Sequence, residues 1–177
     1  MTTSPYQSSV PAMIAMLGNI KAWLDKAAAQ KDEAQLMEAR LAPDMFPLPR
    51  QIQIAADAAK GAAARLTGTE APVMPDTETS FAELKERCDK TIAYLESVDA
   101  AVFDAGIARE VVLTFPNGAG MRFDGATFLN GFALPNFYFH AAATYAILRK
   151  EGVEIGKQDF LMHLAGHMFP PPANANG

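Results

Sequence analysis

The fold is decided by the stretch Leu134-Pro135-Asn136-Phe137-Tyr138-Phe139-His140-Ala141-Ala142-Ala143-Thr144-Tyr145-Ala146-Ile147-Leu148-Arg149. This is the most aromatic segment of the chain, and it holds one histidine inside a strongly apolar helical pattern. A helix that is apolar on all sides is usually buried on all sides. The stretch therefore predicts a central helix that runs from about Thr127 to Lys150, is kinked at Pro135 and stops at Gly152.

Three more long helices are predicted, because apolar residues also repeat at helical spacing over residues 4–27, 50–66 and 80–98. The first and the third begin with the sequence of a capping box, in which side chains satisfy the first free amides of a helix. A shorter helical piece is predicted over residues 32–41. The prolines within residues 42–49 predict a break before the second long helix.

A β-hairpin is predicted between the third and fourth long helices. Residues 110–115 are rich in β-branched and apolar side chains, residues 116–120 have the composition of a turn, and residues 121–123 lead back. An isolated hairpin is only marginally stable in water, so this one must lean on the helices. We therefore expect an all-α protein, a four-helix bundle with a short β-hairpin, as one domain over residues 1–177.

The composition argues against several classes of function. The net charge is −5 and basic residues are dispersed among acidic ones, so we expect no nucleic-acid partner. No apolar run approaches the roughly 18–20 residues that cross a bilayer, so we expect no membrane partner. The start of the chain, Met1 to Pro5, does not resemble a secretory signal, and the single cysteine, Cys88, cannot form an internal disulfide. These features predict a cytoplasmic protein.

The central helix carries a row of polar residues that forms the main candidate site. Asn136, His140 and Thr144 are spaced four apart and share one helix face, and Tyr145 lies near it. These side chains could orient a small polar ligand inside the bundle, with His140 as an acid, a base or a ligand. The alternative is a buried histidine whose hydrogen bonds are satisfied by its neighbours.

Asp44 and Gln51 lie at or near the start of the second long helix. If that end of the helix faces His140, a carboxylate or an amide would complete the candidate site. The alternative is that both side chains lie at the surface and are solvated by water.

A second group of polar residues lies near the end of the chain, in a short helix predicted over residues 157–167. Asp159, His163 and His167 are spaced four apart and would form an acid/His/His face with the character of a metal site. The proline-rich tail that begins at Pro170 is expected to be frayed, which argues against a strong site so close to it.

The third long helix has an apolar and a charged side. Cys88 lies on the apolar seam, which favours a small core residue over a nucleophile. On the other side, Glu83 and Arg87, and likewise Glu86 and Lys90, are i,i+4 pairs that predict a solvated face.

Four motifs together resemble a family of uncharacterised bacterial proteins in the DinB/YfiT-like group of four-helix bundles. They are Met45-Phe46-Pro47-Leu48, Ala64-Arg65-Leu66-Thr67-Gly68, Leu134-Pro135-Asn136-Phe137-Tyr138-Phe139-His140 and Gly156-Lys157-Gln158-Asp159-Phe160-Leu161. The resemblance covers nearly the whole chain. It implies an up-down-down-up bundle and a protein that frequently forms homodimers.

The resemblance also implies which residues would have to bind a metal. Many members of the wider group bind a divalent metal through three histidines, one on the second helix and two that lie four apart on the last helix. His140 matches the second position of the last-helix pair, whereas Asn136 occupies the first, and the second helix of this chain has no histidine. We therefore expect no cofactor, with a divalent metal such as zinc or nickel at His140 as the alternative.

Three functions are compatible with these residues. The first is a binding module, a homodimeric bundle with a small-molecule pocket near His140. The second is a divalent-metal-dependent enzyme, a hydrolase or a thiol transferase, in which carboxylates or amides replace the missing histidines. The third is a structural homodimer without a ligand. We expect a homodimer because the last helix, flanked by Phe128 and Phe132, has more apolar surface than one core face needs.

Overall fold

The computed structural model describes residues 3–169, so the expected fraying of the tail from Pro170 lies outside the described residues. Its α-helices are α1 (Pro5–Ala28), α2 (Glu33–Glu38), α3 (Leu48–Thr67), α4 (Phe81–Glu96), α5 (Ala100–Ala105), α6 (Gly125–Thr127), α7 (Leu134–Lys150) and α8 (Lys157–Phe160). The strands are β1 (Glu110–Thr114) and β2 (Gly120–Asp124), and 3₁₀ turns lie at Gly106–Ala108 and Met162–His167.

The four long helices pack in a closed ring, in which α1 contacts α4 and α7, and α3 also contacts α4 and α7. Gln51 of α3 meets His140 of α7, whereas Arg65 of α3 lies over Phe128 just before α7. Because residue numbers rise along one helix as they fall along the other, α3 and α7 are antiparallel. The fold is thus mostly helical with a small two-stranded sheet, as predicted.

The hairpin lies between α4 and α7, where the sequence predicts one. β1 and β2 are antiparallel, with Glu110 opposite Asp124 and Thr114 opposite Gly120. Every second residue of β1, Val111 and Leu113, turns its side chain into the core. The hairpin is therefore held by the helices, as the marginal stability of a lone hairpin requires.

α3 begins earlier than predicted. The sequence predicts a break through residue 49, but the helix starts at Leu48, with Pro47 as its N-cap and Pro49 in its first turn. Proline is tolerated there because the first helical amides have no partner inside the helix. α5 was not predicted at all; it is short, and Asp99 starts it by accepting from the amides of Ala101 and Val102.

The last long helix is not one kinked α-helix from Thr127. A π-helix over Phe128–Ala133 precedes α7, and the amide of Leu134 donates to the carbonyl of Leu129, five residues back. Pro135 falls in the first turn of α7, where it needs no amide hydrogen. The wider turn therefore lies just before Pro135, where the sequence predicts a kink.

The segment after α7 is also not one helix. α8 is only four residues long, and a 3₁₀ turn follows it. The segment is held to α1, because the indole nitrogen of Trp23 donates to the carbonyl of Asp159 at 3.0 Å and the indole stacks on Phe160 at 5.3 Å. Within residues 3–169, none of the helices combines the length and the apolarity that crossing a bilayer requires.

Candidate functional site

A buried polar pair joins α7 to α3. His140 and Gln51 are 8% and 1% exposed, and 2.7 Å separates His140 Nδ1 from Gln51 Oε1. The amide nitrogen of Gln51 donates to the carbonyl of Phe46 at 3.0 Å, which leaves Oε1 as the acceptor. His140 must therefore donate through Nδ1. In the neutral imidazole, Nε2 then carries a free lone pair.

The surroundings of His140 keep the ring neutral. Burial lowers the pKa of His140 below 6.5, and the positive charge of Arg50 lowers it further. Within residues 3–169, Nε2 of His140 has no hydrogen-bond partner. This atom is not fully shielded by the protein, so it retains contact with solvent. The ring edge also packs against Phe139, with 5.1 Å between the ring centroids. His140 thus presents one basic nitrogen at the edge of a buried pair.

The other predicted residues lie in different surroundings. Thr144 is fully buried, and its hydroxyl donates to the backbone carbonyl of His140 at 2.9 Å, so it supports the helix rather than the ring. Tyr145 packs edge-on against Trp23 of α1, away from the Gln51 pair. Asp44 is exposed in the loop before α3. The structure therefore brings the side chains of His140 and Gln51 together. The side chains of Thr144, Tyr145 and Asp44 do not join this pair.

Asn136 lies one turn before His140, in a groove along the seam of α3 and α7. The groove is a half-open cavity of about 290 Å³ that β1 closes on one side, whereas His140 is not part of its lining. Within residues 3–169, the carboxamide of Asn136 has no hydrogen-bond partner. The rest of the lining is mostly apolar and aromatic: Ile54, Ala58, Leu113, Phe115, Phe128, Phe132 and Ala133, with Asp57, Thr114 and Arg65 as polar members.

A charged cluster around Arg87 was missed by the sequence analysis, which placed Arg87 on a solvated face with Glu83. Instead Arg87 is 2% exposed, and it donates to Glu78 at 2.7 Å, to Asp57 at 2.8 Å and to Asp76 at 2.9 Å. The sequence did carry a signal, because Arg87 lies three residues after Leu84, which is on the buried seam of α4.

Two further cations balance the three carboxylates of this cluster. Arg50 pairs with Asp76, and Lys60 lies 3.0 Å from Asp57. Burial raises the pKa of Glu78, but hydrogen bonds from Arg87 and Gln53 outweigh it and hold that pKa below its usual value. The cluster fastens the segment between α3 and α4 to both helices, which is a structural role.

The residues around His140 do not fit the three-histidine metal set. His140 offers one imidazole nitrogen, and its neighbours Gln51 and Asn136 offer neutral amides, whereas transition metals such as zinc are held by three or four imidazole, thiolate or carboxylate ligands. Throughout the described range 3–169, no three His, Cys, Asp or Glu side chains come together in a group that could hold a metal.

The acid/His/His face predicted near the end of the chain does not form, because α8 ends at Phe160. Asp159 pairs with Lys26 and accepts from the amide of Gly156, while His163 Nδ1 lies 2.9 Å from the amide nitrogen of Asn19. Asp159 and His163 thus each have a structural partner on α1.

Cys88 is fully buried, and burial raises the pKa of its thiol to about 12. A thiol with this pKa holds almost no thiolate at neutral pH. Its surroundings therefore suit a core residue rather than a nucleophile.

The mostly helical fold with a small two-stranded sheet matches a DinB-like helical fold. A solved structure of a DinB family member from Shewanella denitrificans is 39% identical in sequence, with a TM-score of 0.81 over 95% of this chain and 94% of that chain. Residues 6–161 match a family described as a domain of unknown function, DUF1993, and the chain belongs to that family. No curated protein is similar enough in sequence to match it.

Proposed function

We propose that this protein is a binding module that takes a small molecule into the groove between α3, β1 and α7. The observation that carries the proposal is the unpartnered carboxamide of Asn136 on the wall of a cavity of about 290 Å³ whose lining is mostly apolar and aromatic. Binding sites for small molecules combine an apolar lining with a few polar groups that fix orientation, and their volumes begin at about 300 Å³. This groove has both properties at the lower end of that size range.

His140 lies on the same helix face as Asn136, outside the lining of the groove. It lies one turn after Asn136, and its pairing with Gln51 fixes the ring so that Nε2 is the free nitrogen. A ligand with a hydrogen-bond donor could reach this lone pair from the end of the groove. His140 then acts as an acceptor in binding, and no metal is required for this role.

The proposal is tested with a library of small fragments and ¹⁵N-labelled protein by NMR spectroscopy. We expect binding fragments to shift the amide resonances of Ile54, Ala58, Ala133 and Asn136, all of which line the groove. Ala58→Leu should fill the cavity and weaken binding at least tenfold. Ala93→Leu, at an exposed position of α4, is the matched control and should bind like the wild type.

Two results would overturn the proposal. One is a library in which no fragment shifts these resonances. The other is binding that Ala58→Leu leaves unchanged while the variant keeps the dispersed spectrum of a folded protein.

A further inference from the structure

Arg65 is a cation without a carboxylate partner at one end of the groove. Its Nη1 donates to the carbonyl of Gly61 at 3.0 Å, and its guanidinium lies over the ring of Phe128, 5.9 Å from the centroid. Among residues 3–169, no carboxylate lies within 4.0 Å of it. Arg65 is exposed as a residue, yet partial desolvation of its guanidinium lowers its pKa, which is the direction expected for a cation that lacks a compensating charge.

The acidic residue of the groove is already neutralised. Asp57 lines the cavity, but its Oδ1 accepts from Arg87 at 2.8 Å and lies 3.0 Å from the ammonium of Lys60. The charge that remains uncompensated along the groove is therefore the single positive charge of Arg65. An anion is therefore attracted to the Arg65 end of the groove. A cation is not attracted in the same way, because the carboxylate of Asp57 is already paired.

The floor next to Arg65 is aromatic. Phe128 and Phe132 stack with 6.1 Å between their ring centroids, and both line the cavity. Ala58 and Arg65 are seven residues apart on α3, which is about 10 Å along the helix axis. This length accommodates one ring with a short chain between Arg65 and the middle of the groove.

We infer that the groove selects a monocarboxylate with an apolar, ring-sized body, whose carboxylate pairs with Arg65 and whose body lies on Phe128 and Phe132. The inference rests on the proposed binding function and adds the class of ligand. One unpaired guanidinium matches one carboxylate, because a planar fork of donors can hold both of its oxygens. A phosphate dianion would need a second cation, and the two cations that contact Asp57 in the lining, Lys60 and Arg87, are already paired with it.

The test compares 3-phenylpropionate with its neutral isostere 3-phenylpropanamide by NMR titration of the full chain. We expect the acid to shift groove resonances and to bind at least tenfold more tightly than the amide. Arg65→Gln should weaken the acid about tenfold and leave the amide unchanged. Arg149→Gln is the matched control, since Arg149 is also an exposed helix arginine that donates to a backbone carbonyl four residues away, Val153.

The outcomes separate the ligand class from the groove itself. If the amide binds in the groove as tightly as the acid, or if Arg65→Gln binds the acid like the wild type, the groove function stands and the carboxylate assignment is wrong. If other fragments bind in the groove and the acid does not, the assignment is likewise wrong. If neither of the two compounds nor any fragment of the library shifts groove resonances, the inference and the proposed function fail together.

Discussion

Arg87 belongs to α4, yet its guanidinium donates to Glu78 at 2.7 Å and so ties the segment between α3 and α4 to the bundle. The side chain of Arg87 is 1% exposed and that of Glu78 is 11% exposed. Neither charge can return to water without this segment coming away from the helices. The contact therefore couples the position of a loop to the stability of the fold.

We predict that Arg87→Met lowers the free energy of unfolding by about 3 kcal/mol, because it leaves buried carboxylate charge without a partner. The value lies at the lower end for buried ion pairs, since Asp57 and Asp76 are partly exposed and stay partly solvated. Urea unfolding followed by circular dichroism measures the difference. Lys90→Met is the control; Lys90 pairs with Glu86 at the surface, so its loss should cost less than about 0.5 kcal/mol.

The ion pair between Arg87 and Glu78 also predicts how the free energy of unfolding depends on pH. The folded pKa of Glu78 lies below the ordinary 4.5, so its contribution is present above pH 4.5 and is lost as the pH falls through the folded value. Arg87→Met should lose most of this dependence. Equal slopes of unfolding free energy against pH in the wild type and in the variant would contradict the role of Arg87.

We predict that His140 titrates below pH 6.5 in the folded protein, because burial and Arg50 disfavour the imidazolium. The stability that neutral His140 contributes is complete above the unfolded pKa near 6.5 and is lost as the pH falls through the folded value. Gln51→Glu places a carboxylate beside Nδ1 and should raise the pKa of His140 by roughly 1 unit or more.

NMR titration of the imidazole resonances measures both midpoints. Gln35→Glu adds the same charge at an exposed position of α2 and should leave the titration of His140 unchanged. A wild-type midpoint at or above 6.5 would show that burial and Arg50 do not hold the ring neutral.

The long helices and the hairpin could be predicted from sequence because their signals are local. Apolar spacing marks α1, α4 and α7, and turn residues mark the hairpin. The predicted start of α3 is too late. A proline usually marks the end of a helix, but Pro49 falls in the first turn of α3, where it is tolerated. The burial of Arg87 depends on the carboxylates of Asp57, Asp76 and Glu78 meeting in space, which no short pattern encodes.

The candidate site was predicted only in part, for a related reason. Helical spacing puts Asn136, His140 and Thr144 on one face, but it does not say which atom each side chain turns outward. The hydroxyl of Thr144 donates to a backbone carbonyl of its own helix. The contact of Gln51 with His140 needed two helices to be antiparallel and in register, which sequence spacing leaves undetermined.

We predict that the protein is a homodimer. Phe128 and Phe132 were expected to add apolar surface to such an interface, but Phe128 is 2% exposed and packs in the core. Phe139, 57% exposed on α7, is the aromatic side chain of that helix that a partner could cover. Sedimentation equilibrium at micromolar concentration should give twice the mass of a 19.0 kDa chain.

Phe139→Lys should shift this equilibrium toward the monomer. Val73→Lys, at a position that is 93% exposed in the segment between α3 and α4, should not. A wild-type protein that sediments only as a monomer at these concentrations would contradict the prediction.

The π-helix over Phe128–Ala133 sets the rotational phase between the hairpin and α7. A π turn holds one residue more than an α turn, and one residue corresponds to about 100° of rotation about the helix axis. Deleting a single residue here would leave His140 facing Gln51 but turn the side chains before Phe128 to another face. In a relative whose helix is uninterrupted, the residues before this point would be shifted by one position relative to this chain. Those residues, on the hairpin side, would then have different neighbours.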